Sequence, residues 1–240
     1  TDSEVMCPTY RATKEEIQTT RGRANMLRAA ISGELPEDEI HADRFQEEVL
    51  DLCIGCKGCA SDCPTGVDMA KLKTEVKHQH HQEEGVSPRE RLFSNIDVLS
   101  RLGSTFAPVS NWSPRVPGAR RVMQELFGIA PERTLPEFAS TSLVSWFDDR
   151  GGCRLAPGDA RDQVLLFPDT FTNYIDPSAG KAAVEVLEAA GVYAEIPTDL
   201  APSGRAAYST GRLDLARDRA RENVDSLRDR VEAGRSVVFV

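Results

Sequence analysis

Apolar residues in roughly the first hundred positions recur every three or four residues, the period of an amphipathic helix. Thr13-Lys-Glu-Glu16 has capping-box spacing and Gly33 reads as a stop signal, which predicts a helix between them. Ile17, Met26, Leu27, Ala30 and Ile31 would line one face of it. A second helix is expected from about Glu37 to Leu52, with Phe45, Val49, Leu50 and Leu52 apolar. Asp68 can cap a third that runs to about Glu84. Ser87-Pro88, an N-cap with proline at the first helical position, opens a fourth to about Leu102.

The pattern then changes twice. Pro108, Pro114, Pro117, Pro131, Pro136 and Pro157 interrupt residues 103–160, which read as a connector holding one short helix at 118–127. Trp112, Phe127, Phe138, Trp146 and Phe147 would give it some packing of its own. From residue 163 short apolar runs alternate with helical ones. Gln163–Phe167, Val192–Ile196 and Ser236–Val240 are expected strands, and residues 178–190 and Leu213 to about Ala233 expected helices. Strand–helix–strand order implies a small parallel α/β unit with right-handed crossovers. The fold class is therefore α + α/β, with domains at 1–102 and 161–240 joined by the connector.

Composition narrows the function. The chain has 240 residues, of which 40% are hydrophobic, and a net charge of −9. Like-charge repulsion disfavours nucleic acid and anionic surfaces. No apolar run approaches the ~18 residues that a membrane span needs. No signal peptide is visible, and a cytoplasmic location is expected, or a peripheral one at the inner membrane. The chain begins at Thr1 without an initiator Met and ends on an apolar run, so a piece of a longer protein is expected.

Candidate chemistry lies in the cysteines. Four of the six crowd into Cys53-Ile-Gly-Cys56-Lys-Gly-Cys59-Ala-Ser-Asp-Cys63-Pro64, while Cys7 and Cys153 stand apart. A secreted disulfide scaffold would be shorter and would spread its cysteines, so a reducing compartment and a metal centre fit better. The spacing C-x2-C-x2-C-x3-C-P is that of a bacterial ferredoxin run, in which thiolates two residues apart wrap corners of a [4Fe–4S] cubane. Gly55 and Gly58 would let the backbone come close to it. Zinc usually takes two separated ligand pairs, which this run does not offer. Two ligand arrangements are open. In the crossed one, Cys7 of a second Cys-Pro pair joins Cys53, Cys56 and Cys59, and Cys63 serves another cluster whose remaining ligands are absent from the chain. In the local one, Cys53, Cys56, Cys59 and Cys63 hold one cluster and Cys7 is free. The crossed arrangement is the one expected.

Met6-Cys-Pro-Thr-Tyr-Arg-Ala-Thr13, Thr20-Arg-Gly-Arg23 and Cys53 to Lys71 resemble the α-helical ferredoxin module of 2-hydroxy-acid oxidoreductases. Those are the glycolate oxidase iron–sulfur subunit, the anaerobic glycerol-3-phosphate dehydrogenase iron–sulfur subunit, and chains in which an FAD-linked oxidase is fused to the module. Leu166-Phe-Pro-Asp-Thr-Phe-Thr-Asn-Tyr174 and Tyr208-Ser-Thr-Gly211 resemble the cysteine-rich CCG domain that follows in the same proteins. The resemblance implies that FAD, in a further domain or a partner subunit, oxidises a 2-hydroxy acid of the lactate or glycolate class, or glycerol 3-phosphate. Electrons would then pass singly through [4Fe–4S] clusters to a quinone or another acceptor. No catalytic residue is implied for this chain itself. One departure concerns Ala201-Pro-Ser-Gly-Arg-Ala206: Pro202 and Ser203 stand where the family's fuller form carries Cys-Cys. Thiolate chemistry is lost there, and no metal is expected near Ser203. A degenerate interaction module with a structural cluster, or an iron–sulfur subunit of a different reductase, are the alternatives.

Other residues admit two readings each. Arg21, Arg23 and Lys57 could place positive charge near a cluster or be solvated. His78, His80 and His81 could ligate a metal, but adjacent histidines on a polar helix are expected to be exposed. Cys153 reads as a free thiol. Asp169, Thr170 and Asn173 follow the first strand, where either a pocket or a turn with a helix cap is expected. Ser209-Thr210-Gly211 reads as a cap. No Gly-rich phosphate loop and no nucleophile–histidine pairing is present.

Overall fold

The structure, a computed structural model, describes residues 7–36 and 38–240. Met6, in the first segment of the resemblance, and Glu37, the expected start of the second helix, lie outside the described residues. The chain divides into two compact units, Thr1–Ser87 with Ala207–Asp214, and Pro88–Ala206 with Leu215–Val240. It is mostly helical with one small parallel sheet.

The first unit is built from α1 (Pro8–Thr13), α2 (Thr20–Ile31), α3 (Asp43–Phe45), α4 (Gly58–Asp62) and α5 (Met69–Glu83). The expected capping box at Thr13 is not used. Thr13 ends α1, its hydroxyl donates back to the Thr9 carbonyl at 3.0 Å, and Lys14 stops the helix in the left-handed region. A 3-10 turn, Glu16–Gln18, follows, and Thr19 caps α2 by accepting from the Gly22 N–H at 2.8 Å. Gly22 is required there, because a Cβ would lie 2.2 Å from the Glu16 carbonyl oxygen. The expected second helix is also broken. A 3-10 turn at Glu39–His41, the short α3 and a π-helical turn at Gln46–Asp51 replace it. The wide turn frees backbone acceptors that a regular helix would consume: the Val49 carbonyl accepts from Arg23 and the Glu48 carbonyl from Gln18. Leu27, Phe45, Val49, Leu50, Met69 and Val76 form the core of this unit. Ile31 and Leu52, expected on apolar faces, are exposed. Asp68 caps α5 as expected, accepting from the N–H groups of Ala70 and Lys71.

The second unit opens with α6 (Pro88–Ser94) and α7 (Ile96–Thr105) in place of one expected helix. The break falls at Asn95, whose side-chain amide donates to the Arg91 carbonyl at 2.9 Å, the local competition with the helix ladder that asparagine favours. The proline-rich stretch supplies α8 (Ala107–Trp112), α9 (Ala119–Phe127) and α10 (Leu143–Asp149). Then come β1 (Asp162–Leu166), α11 (Thr170–Tyr174), α12 (Pro177–Ala189), β2 (Val192–Glu195), α13 (Arg205–Ser209), most of which belongs to the first unit, α14 (Leu213–Glu232) and β3 (Ser236–Val238). The sheet order is β2-β1-β3, all parallel, with Val164 opposite both Ala194 and Ser236. The central strand is buried on both faces, as a parallel sheet requires. Leu166 packs with Leu143, Val184 and Ile196, and Val164, on the same face two residues back, packs with Val192 and Ala194, while Leu165 is buried on the opposite face. Gly180 of α12 lets Leu143 lie directly against the helix, since a Cβ would sit 2.3 Å from its Cδ2.

One buried ion pair in this unit gives a pH dependence. Burial pushes the Glu188 carboxyl up, but the Arg150 guanidinium and the Arg154 backbone N–H at 2.8 Å outweigh it and hold the group below its ordinary value. A depressed carboxylate stabilises the fold above its unfolded pKa, and that contribution disappears as pH falls through the folded one. Glu188→Gln is therefore expected to be less stable at neutral pH, because Arg150 loses its counter-charge. Its melting temperature should also fall less than the native protein's on acidification below the ordinary carboxylate range. Melting curves for both proteins across that range check it; parallel curves would show that the pair contributes nothing.

Candidate metal centre

Cys53 follows Leu52, the residue that caps the π turn, and its N–H donates to the Leu50 carbonyl at 2.9 Å. Residues 54–57 then leave regular structure, with Gly55 at φ +65 and Lys57 at φ +60. A lysine in the left-handed region is strained, and such residues persist where the surroundings demand them. Here the two left-handed residues curl the loop so that Cys53, Cys56 and Cys59 border one cavity of about 270 Å3. Cys59 stands in the first turn of α4, and the Cys63 N–H donates to the Cys59 carbonyl at 3.1 Å, so the helix ends as Pro64 turns the chain away.

Cys7 and Cys63 line the same cavity, so all five thiols that the sequence singles out border it. Cys7 is brought in from another part of the chain. It precedes α1, which the Thr9 hydroxyl ties to the cysteine loop by donating to the Leu52 carbonyl at 2.6 Å. Arg23, 1% exposed, donates to the carbonyls of Val49 and Gln18 at 2.8 and 2.6 Å, and its Nη1 lies 3.6 Å from the Cys7 sulfur. Burial pushes the Cys7 thiol up. The Tyr10 N–H and the Arg23 guanidinium overcome this and hold it below its ordinary value. Cys63 is held low chiefly by the Thr65 hydroxyl at 3.1 Å, together with nearby backbone N–H groups of residues 65–67. Both environments favour the thiolate that binds metal.

Further cations surround the loop. The Lys73 ammonium donates to the Cys53 carbonyl at 2.7 Å; burial, reinforced by the charge of Lys77, lowers its pKa against the opposing pull of Asp51. Lys57 lies 3.9 Å from Asp68 and 6.0 Å from the centre of the Tyr208 ring. A set of thiols with the buried Arg23 and the partly buried Lys73 beside it suits a group held by several thiolates, whose negative charge those cations would offset. Among the described residues no three Cys, His, Asp or Glu groups converge as for a single ion.

The remaining candidates sort out differently. Arg21 is exposed and pairs with Glu16 at 2.7 Å, which is the solvated reading. His80 and His81 are buried, not exposed, because α5 packs that face against the Glu39–His41 turn. His80 Nδ1 lies 2.6 Å from the His41 carbonyl, and His78 lies 3.9 Å from Asp214. Cys153 lies beside Glu188. Asp169 caps α11 and accepts from the Ser203 hydroxyl at 3.0 Å, whereas Thr170 and Asn173 line a second cavity. Sequence reasoning missed Lys73 and Thr9. The one signal for Lys73 was its spacing of four from Lys77 on the inner face of α5.

Residues 3–67 match the family described as "4Fe-4S dicluster domain". The chain is 28% identical over 145 residues to one component of the anaerobic glycerol-3-phosphate dehydrogenase of Escherichia coli (strain K12), covering 60% of this chain and 36% of that component. It is 24% identical over 234 residues to the probable glycolate oxidase iron-sulfur subunit of Bacillus subtilis (strain 168), covering 91% and 50%. With the D-2-hydroxyglutarate dehydrogenase of Escherichia coli (strain K12) the identity is 22% over 277 residues, covering 98% and 27%. The chain thus spans at most about half the length of these relatives. No solved structure matches it.

Proposed function

We infer that this chain, a relative of iron–sulfur subunits and 2-hydroxy-acid dehydrogenases that carries a 4Fe–4S dicluster domain, is the electron-transfer portion of a flavin-linked dehydrogenase. The observation that carries this reading is the single cavity bordered by Cys7, Cys53, Cys56, Cys59 and Cys63. Cys7, Cys53, Cys56 and Cys59 would hold one [4Fe–4S] cluster, and Cys63 would serve a second whose other ligands lie outside this chain. When bound, such a group accepts and releases one electron at a time. Arg23 fixes Cys7 in place, Lys73 fixes the Cys53 carbonyl, and both offset the negative charge of the thiolates. On this reading the helical unit is an α-helical ferredoxin module, and the α/β part is a CCG-like domain without the cysteine pair. The domain limits read from the sequence, 1–102 and 161–240 with a connector, are kept in this proposal.

The substrate of the whole protein would be a 2-hydroxy acid or glycerol 3-phosphate, oxidised at FAD in a further domain or subunit. The acceptor would be a quinone or another carrier, reached in the cytoplasm or at the inner membrane surface. Among the described residues no helix is long and apolar enough to cross a membrane. Photoreduced flavin mononucleotide, added without oxygen to the iron-loaded chain, tests the electron-transfer role. It should bleach the broad visible band, and a water-soluble quinone should restore it. A chain that dithionite bleaches and reduced flavin does not would refute the proposed electron donor.

A further inference from the structure

The second unit contains a cavity of about 840 Å3. It lies outside the carboxyl ends of β1 and β2, between the segments that follow those strands, α7, and the turn before α10. Parallel α/β sheets present ligands at this end, where the chain leaves each strand and leaves space between loops. The volume is that of a small-molecule site. Pro168, Pro197 and Leu200 give it an apolar wall.

The polar groups of the lining are unequally engaged. Asp97 is taken by Arg219 at 3.0 Å. The Ser104 hydroxyl donates to the Ala139 carbonyl at 2.6 Å, and the Ser142 hydroxyl donates to that of Ser145 at 2.9 Å. Asn173, 6% exposed, accepts the Val144 N–H through Oδ1 at 3.0 Å, which orients its amide and leaves Nδ2 to donate elsewhere. Among the described residues, the Asn173 Nδ2, the Thr170 hydroxyl and the Arg101 guanidinium have no protein partner. All three can donate. Thr170 and Asn173 are buried as residues, but their unpartnered donor atoms are not enclosed by protein, so they stay open to a ligand in the cavity.

We propose that this cavity binds a small organic monocarboxylate. Arg101 provides the charge and the planar fork that pairs with a carboxylate, Asn173 and Thr170 donate to its oxygens, and the apolar wall receives its carbon chain. Asp149, exposed at the lining, repels any anion and a doubly charged one more strongly, so it disfavours phosphate relative to a monocarboxylate. The inference rests on the cavity alone and stands or falls independently of the metal centre.

Saturation-transfer NMR on the full chain tests it, with sodium propionate, its neutral isostere propionamide, and inorganic phosphate as competitor. Propionate should bind saturably, propionamide at least about tenfold more weakly, and phosphate should not displace propionate at equal concentration. Arg101→Met, at an exposed position that leaves the core intact, should weaken propionate about tenfold, and Asn173→Leu should also weaken it, with circular dichroism confirming that both fold. Unsaturable propionate signal, equal binding of propionamide, displacement by phosphate, or unchanged binding in Arg101→Met would each overturn the proposal.

Discussion

Replacing Cys7 with serine is expected to abolish the complete cluster, while Cys63→Ser leaves its iron in place. Both residues line the cavity and both precede a proline, so their positions in the sequence do not separate them. Their surroundings do. The Cys7 sulfur is held from inside the unit by Arg23, a side chain 1% exposed and itself fixed by two carbonyls. The Cys63 sulfur is held by Thr65, two residues along its own turn. A ligand that must not move when metal binds is better served by the first arrangement. Iron analysis and visible absorbance of the two variants, loaded without oxygen, measure the difference directly. Loss of iron in Cys63→Ser with retention in Cys7→Ser would establish the local arrangement instead.

Arg23→Leu should destabilise the first unit by about 3–5 kcal/mol, because three neutral acceptors lose a buried charged donor. The guanidinium answers the carbonyls of Val49 and Gln18 and the side-chain oxygen of Gln18 at 3.0 Å. Leucine would fill much of the volume and leave those acceptors without donors, each at about 1–3 kcal/mol. Trp112 and Trp146 both belong to the second unit, so tryptophan fluorescence would miss the change. Hydrogen exchange of amides in α2 and α5 reads it locally, against β1 amides as an internal reference. Protection in α2 unchanged from the native protein would show that Arg23 is not what joins α1 to the π turn.

The α/β part was legible in the sequence because a buried parallel strand is a short apolar run between turn residues. The strands expected at 163–167, 192–196 and 236–240 appear at Asp162–Leu166, Val192–Glu195 and Ser236–Val238. The helical half was legible in composition and not in detail. Thr13 and Thr19 are both plausible caps by residue type, and the choice between them depends on the close approach of Gly22 to the Glu16 carbonyl, a tertiary fact. Likewise Asn95 breaks a helix that the apolar period alone would continue. The cysteine loop was legible because all its geometry is local. Arg23 and Lys73 could be suspected only as charge, since their acceptors, Val49 and Cys53, lie 26 and 20 residues away. Thr170 and Asn173 were legible as residues following a strand. The Arg101 wall of their cavity comes from a segment with no local signal connecting it to them.

The most direct measurement of the central claim is the iron, acid-labile sulfide and zinc content of the chain after anaerobic loading, with electron paramagnetic resonance of the reduced form. A brown protein with about four irons and four sulfides per chain is expected, with a spin-half signal on one-electron reduction. A colourless protein that takes up zinc in place of iron under the same conditions would contradict it.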